Sequence, residues 1–241
     1  MKAYLIGSSH PNIPAIMDWL TKHHLTIPLP EGPLTVSLLA AKRCYRSFDP
    51  SLNANLTRVR SDWVEYFHNI LSSGHGSVLE HVTFTFAIED VSRVLTAELN
   101  RHRAGVAISE ASGRYIVVDE NTGYYVPDAL SPEALEVFHA SMRASITAYK
   151  SVMTAVTPNM PFSQKKAITS AARRILPIGL NTGGVWTFNL RALIHILQLR
   201  SSAHAEEEIR KLALMLYDLI PVEIPGSISE KGEIIFECGK V

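Results

Sequence analysis

A chain of 241 residues, 46% hydrophobic and 19% charged, has the makeup of an ordinary soluble protein that can bury a full core as one domain, residues 1–241. Lys plus Arg and Asp plus Glu both number 23, so no global field draws the chain to nucleic acid or an anionic membrane, and any anion site must be local. Two cysteines without paired spacing, Cys44 and Cys238, argue against a disulfide framework or a zinc knuckle, and no metal is expected. The opening MKAYLIGSSH lacks a cationic start and an apolar signal core, and no apolar run reaches membrane length, so a reduced cytoplasmic compartment is expected.

Lys2 to Ile6 reads as a first strand, and Pro11, Pro14, Pro28, Pro30 and Pro33 predict an irregular segment over the core. Val36, Leu39 and Ala40 recur at helical spacing up to Tyr45. Cys44 in that helix has no His or Asn constellation to activate it and is expected to be buried and inert. Arg60 to Leu71 is a second amphipathic helix, and His75 and Gly76 belong to a turn. Val82 to Ile88 alternates as a half-buried strand. Asp90 predicts the N-cap of the next helix, on which Glu98, Arg101 and His102 share a face.

A small-residue loop, Ala104 to Ile108, precedes a strand from Gly113 to Val118, and Asp119 to Gly123 is a turn. Long helices follow at Pro132 to Val156 and Ser163 to Leu176. From Asn189 to Arg200 a helix gathers Leu190, Leu193, Ile194 and Leu197 into one apolar arc. Asn189 and Arg200 share nearly one azimuth at its edge, and Arg191 and His195 share another. An Arg on such an edge needs an anion, a carbonyl or a polarisable ring as partner, a structural salt bridge being the plainer outcome. Ala203 to Leu219 is a last helix with Glu206, Glu207, Glu208 and Arg210 on its wet side, and Pro221, Pro225 and a β-prone Ile234-Ile235-Phe236 finish the pattern.

The stretch NRHRAGVAISEASGRY, Asn100 to Tyr115, concentrates the chemistry. Arg binds planar anions through a rigid donor fork, and Ser hydroxyls with backbone N–H groups beside a Gly suit phosphate oxygens. Taken alone, the stretch is equally a solvated helix end whose cations complement the helix dipole.

The same stretch resembles the signature of the flavin-dependent thymidylate synthases, or thymidylate synthase complementing proteins: Arg-His-Arg, seven residues, then Ser, often as Ser-x-Arg-Tyr. His75 to Phe84, Ala172 to Pro177 and Trp186 to Arg191 are similar to three further blocks of that family, in its order, with His195 and Leu199-Arg200 following. Two features depart from the pattern. Eight residues, 104–111, separate Arg103 from Ser112, and Glu98 stands where the family usually has Gln, as Glu206 does for a second Gln. An ionised Glu only accepts hydrogen bonds, so beside a phosphate Glu98 needs Arg101 or a base N–H as partner.

The resemblance implies an α+β fold, a small antiparallel or mixed sheet surrounded by several long helices. It also implies a homotetramer with shared active sites. The reaction implied is reductive methylation of dUMP to dTMP, with 5,10-methylenetetrahydrofolate as carbon donor, NADPH as reductant and FAD as cofactor. His81, Thr83, Arg101, His102, Arg103, Glu110, Asn189, Arg191 and His195 are then expected at FAD. Glu98, Arg101, Glu110, Ser112, Gly113, Arg114, Arg173 and Arg200 are expected at the nucleotide, with Arg200 as the catalytic group that polarises the pyrimidine. Ser112 has no base placed to make it a nucleophile. Two other readings stay open: a related flavin and folate enzyme giving another modified pyrimidine, such as a hydroxymethyl product, and a non-catalytic nucleotide-binding or nucleic-acid-binding paralogue. Zero net charge and the lack of an aromatic platform motif weigh against nucleic acid.

Overall fold

The computed structural model describes residues 1–56, 58–119, 121–222, 224 and 226–236; Cys238, Pro225 and Glu120 lie outside them. Four strands, β1 (Lys2–Ser8), β2 (Thr83–Ser92), β3 (Val106–Glu110) and β4 (Asn181–Asn189), form one sheet in the order β1-β2-β4-β3, antiparallel throughout. Phe84, Phe86 and Ile88 alternate to one face of β2 and are fully buried, and Trp186 and Phe188 do the same on β4. That face packs against helices α2 (Thr35–Tyr45), α3 (Trp63–Ser72), α7 (Leu190–Arg200) and α8 (Glu207–Asp218) in one continuous core. Helices α5 (Pro132–Met153) and α6 (Phe162–Ala172) close a smaller cluster around Tyr149 and Leu180. The architecture is α+β, and a short hairpin, β5 (Gly226–Ile228) with β6 (Ile234–Phe236), completes it. Among the described residues no helix is long and apolar enough to cross a membrane, and no metal-ligating cluster is present.

Several expectations are corrected. The proline-rich start contains a helix, α1 (Ile13–Lys22): Asn12 caps it, and Pro14 lies in the first turn, where a missing N–H is no loss. Cys44 is exposed rather than buried. Asp90 caps nothing. It sits at a β-bulge in β2 with φ of 57° and pairs with Lys2 at 2.9 Å. Ser92 is the cap of α4 (Arg93–Leu99), accepting from the Leu95 N–H at 3.2 Å.

Glu208 is not on a wet face: it is 1% exposed, and it accepts both the backbone N–H (2.7 Å) and the hydroxyl of Ser92. Burial raises its pKa. Glu206 caps α8 through the Glu208 and Ile209 N–H groups. Residues 113–115 form a turn and 116–118 no regular element, rather than a strand, the outer edge of β4 being already taken by β3. The supposed loop from Ala104 to Ile108 supplies that strand: Val106 and Ile108 pair opposite Phe188 and Trp186 and pack on the core.

Candidate functional site

The turn between α4 and β3 is held by a polar hub. The Glu110 carboxylate accepts from Arg93 Nη1 (2.8 Å), Thr96 Oγ1 (3.0 Å) and Asn100 Nδ2 (2.9 Å), and Asn100 Oδ1 accepts from the buried Trp186 indole at 2.9 Å. This ties both ends of α4 to the sheet and leaves Arg101 and Arg103 exposed on the turn. Gly105 has φ of 72°, and a Cβ there would run into the Asn189 side chain, so only Gly lets the turn close onto the start of α7. Asn189 donates its backbone N–H to the Gly105 carbonyl (2.8 Å) and caps α7 through the Ala192 N–H (2.8 Å).

Arg200, at the last turn of α7, is partnered on three sides. Nη1 donates to Glu98 Oε2 at 2.6 Å, Nη2 to the Glu98 carbonyl at 3.2 Å, and Nε to His102 Nε2 at 3.0 Å. Glu98 therefore pairs with Arg200 and not with Arg101. Since Nε2 of His102 is an acceptor, its ring proton sits on Nδ1. Burial, then the charge of Arg200, pushes its pKa down from 6.5 to about 4. Between those values the unfolded chain carries a proton there that the folded protein refuses, so this residue makes stability fall as pH drops from 6.5 towards 4. Denaturant unfolding of wild type and His102→Asn across that range should show the variant losing this pH slope. Equal slopes would mean His102 is not held neutral.

Around this group lies a cavity of about 460 Å³ lined by Arg101, His102, Leu199, Arg200, Ser202, His204 and Ala205. His195 meets His102 edge to face at 5.8 Å and lines a second cavity of about 340 Å³ with Gly105, Asn189, Arg191 and Glu80. Arg191 is paired there with Glu80 at 2.8 Å. A third cavity, about 450 Å³, has Gly113 and Arg173 in its wall, joined by Arg93, Arg174, Asn181 and Thr182. Asn181 Oδ1 and Thr182 Oγ1 are buried and have no hydrogen-bond partner among the described residues.

The expected residues thus fall in three groups rather than one. Arg101, His102 and Arg200 line the first cavity, with Glu98 bound to Arg200, and Asn189, Arg191 and His195 line the second. Arg173 and Gly113 are in the third, with a Gly113 Cβ position 3.7 Å from the Arg173 side chain. Ser112 turns its hydroxyl to the Arg114 N–H at 3.4 Å next to that third cavity, with Arg114 exposed. Arg103 lies exposed outside these walls, as does His81, and Thr83 is bound to Ser9 through Oγ–Oγ at 3.0 Å. Glu110 points inward to its hub. Nothing in the residue pattern singles out Arg93 or Arg174, each of which passes for a solvated helix charge. The unpaired oxygens of Asn181 and Thr182 have no signature in a pattern of residues at all.

Clustered guanidinium groups facing separate cavities of an α+β fold suit anionic, partly planar ligands. Residues 27–226 match the family model described as thymidylate synthase complementing protein. The chain is 32% identical over 222 residues to a flavin-dependent thymidylate synthase of Mycolicibacterium vanbaalenii, covering 89% of this chain and 83% of that protein. It is 33% identical over 210 residues to one from Geobacter sulfurreducens, covering 85% and 83%. The fold is similar to that of the Helicobacter pylori flavin-dependent thymidylate synthase solved with FAD and dUMP, with a TM-score of 0.58, 22% identity, and coverage of 92% and 94%. The chain belongs to the thymidylate synthase complementing protein family, the flavin-dependent thymidylate synthases, and is an enzyme of that family.

Proposed function

We propose that this protein methylates dUMP to dTMP, taking the carbon from 5,10-methylenetetrahydrofolate and reducing equivalents from NADPH, with FAD as cofactor. The observation that carries the nucleotide part is the third cavity. Three guanidinium groups suit a phosphate dianion. The unpaired hydroxyl of Thr182 can donate to it, and the Asn181 Oδ1 can accept from a sugar hydroxyl. Ser112, Gly113 and Arg114 border the same space, and Arg200 at its own cavity is assigned to the pyrimidine.

The donor set also fits FAD. Arg101 and Arg103 stand exposed on the turn, and Asn189, Arg191 and His195 line a neighbouring cavity, so a long ligand with a pyrophosphate can lie along cationic and imidazole donors. When bound, FAD supplies the hydride chemistry of the reaction. The chain's residues bind and orient: Arg101 and Arg103 neutralise phosphate charge, Arg191 offers the donors its Glu80 pair leaves free, and His102 fixes Arg200 through Nε2. His81 and Thr83, which lie outside these walls, and Glu110, through its hold on the turn, complete the assignment. Arg200 acts by stabilising the negative charge that the pyrimidine gathers as it attacks the methylene carbon.

Exposed apolar side chains, Ile116 and Ile178 in the wall of the third cavity and the stacked pair Tyr115 and Phe162, support self-association, which we assign to a homotetramer with sites shared between subunits. A free exposed thiol at Cys44 suits a reducing cytoplasm.

Purified protein should carry a flavin absorption band and form dTMP from dUMP, methylenetetrahydrofolate and NADPH; a different modified pyrimidine would redirect the reading. Arg101→Ala should release flavin with the fold intact. Full flavin occupancy in that variant would remove Arg101 from the cofactor site.

A further inference from the structure

A smaller cavity, about 230 Å³, opens between α1 and the C-terminal end of α2. It shares no lining residue with the three cavities described above. Its α1 side, with Trp19 and His23, lies ahead of residue 27, where the match to the family begins. Its other side carries Phe48, Leu52, Arg43 and Arg46. A small core of Leu20, Leu39 and Phe48, separate from the main one, fixes the two sides against each other. Trp19 meets Phe48 at 6.1 Å and His23 at 5.9 Å, both edge to face, which gives the cavity an aromatic wall.

The guanidinium groups of this cavity are not neutralised, although the charges around them are. Lys22 pairs with Asp18 at 2.6 Å, and Arg58 and Arg60 share Glu65 at 2.9 and 3.3 Å. The Asp49 carboxylate accepts from the Ser51 N–H and hydroxyl at 2.8 and 2.6 Å. Arg43 and Arg46 are exposed and have no ion pair among the described residues. The plain explanation is the end of α2, whose carbonyls favour a cation. That end amounts to about half a negative charge, which two guanidinium groups exceed. The Trp19 indole is idle as well. Trp63 and Trp186 donate their N–H groups, to the Pro28 carbonyl at 3.1 Å and to Asn100 Oδ1 at 2.9 Å, whereas the Trp19 N–H has no acceptor among the described residues.

We propose that this cavity is a separate ligand site for a single flat ring bearing an anionic group: the ring packs against Trp19 and Phe48, and its phosphate or carboxylate lies between Arg43 and Arg46 at the rim. At about 30 Å³ per water the space equals roughly eight waters. That is room for one substituted ring and far too little for a dinucleotide such as FAD. No residue assigned above to FAD or dUMP takes part, so this site does not depend on the methylation reading.

The test is calorimetric titration of the flavin-loaded protein with phenyl phosphate, a bare ring with a phosphate dianion. Wild type is compared with the double variant Arg43→Gln, Arg46→Gln, and the difference isolates this cavity from the cationic walls elsewhere. Wild type should show a binding event that the double variant lacks. Each single substitution should weaken it about tenfold, the effect of losing one charge-assisted hydrogen bond. Trp19→Leu should weaken phenyl phosphate several-fold, about what an aromatic contact contributes, and leave inorganic phosphate unchanged. Inorganic phosphate should bind here at least tenfold more weakly than phenyl phosphate. Benzoate as a third probe tells a carboxylate from a phosphate ester as the preferred anion. Identical isotherms for wild type and the double variant overturn the proposal, and so does inorganic phosphate binding as tightly as phenyl phosphate. Both arginines are exposed, so the double variant should fold and form dTMP as wild type does; should it unfold, Arg43→Gln alone carries the comparison, and unchanged affinity there overturns the proposal equally.

Discussion

Replacing Arg200 with lysine is expected to lower turnover on the order of a hundredfold or more while dUMP affinity falls far less. Lysine keeps the charge but has no planar fork, so it cannot hold Glu98 and His102 at once and still present two donors in one plane. The present geometry has Nε on His102 at 3.0 Å and Nη1 on Glu98 at 2.6 Å. An interaction that matters when negative charge builds on the pyrimidine affects the chemical step more than ground-state binding. Single-turnover assays at saturating dUMP, with flavin content and nucleotide affinity measured on the same preparation, make the comparison. Turnover near wild type with flavin bound would leave Arg200 as a structural ion-pair residue and remove it from catalysis.

Glu110→Ala is expected to destabilise the fold by about 2–4 kcal/mol, because it strands several partly buried donors at once. Arg93, Thr96 and Asn100 all lose their acceptor, and Asn100 is also the partner of the Trp186 indole. Glu110→Gln, which keeps one acceptor oxygen and the shape, should cost less. Equilibrium denaturation of both variants, without nucleotide, provides the readout. If Glu110→Ala unfolds like wild type and loses only flavin or nucleotide, Glu110 is a ligand contact and the hub is not what holds the turn.

How much of this was legible in the sequence depended on the kind of signal. Periodic helices away from prolines were readable, because a 3.6-residue period is a local fact, whereas their caps were not: α1 with its Asn12 cap was hidden among prolines, and Ser92 rather than Asp90 caps α4. The α7 pattern of Leu190, Leu193, Ile194 and Leu197 is one readable case, and all four are fully buried. Strand β4 was hidden by Gly183 and Gly184, which depress strand propensity but are required here. A Cβ at Gly184 would strike the Ser109 carbonyl, and one at Gly183 would strike Glu89. Strand β3 was hidden by its small residues, and its pairing depends on a partner more than seventy positions away.

At the site, the spacing of Arg101, His102 and Arg103 was visible, and the likeness of the surrounding blocks suggested their chemistry. The Glu98–Arg200 contact was not visible. Two side chains on separate helices, 102 positions apart, leave no mark in either helix's own periodicity. The buried Glu208 was misread for the same reason, since its partner Ser92 lies 116 positions upstream.

The strand order β1-β2-β4-β3 has a consequence for how the chain is made. β2 and β3 follow one another closely in sequence, yet they do not pair: β4 is inserted between them, and β4 begins at Asn181. As the polypeptide leaves the ribosome, β2 can zip only to β1, and its other edge stays open until three-quarters of the chain has emerged. The groups that clamp both ends of α4, Glu208 and Arg200, arrive later still. Such long-range closures are slow, and an apolar edge left waiting is an invitation to pair with a neighbouring nascent chain. Chains truncated before Asn181 should accordingly be recovered as aggregates rather than as a soluble sub-fold. Chaperone occupancy on the ribosome should peak before the β4 segment appears and fall once it has docked.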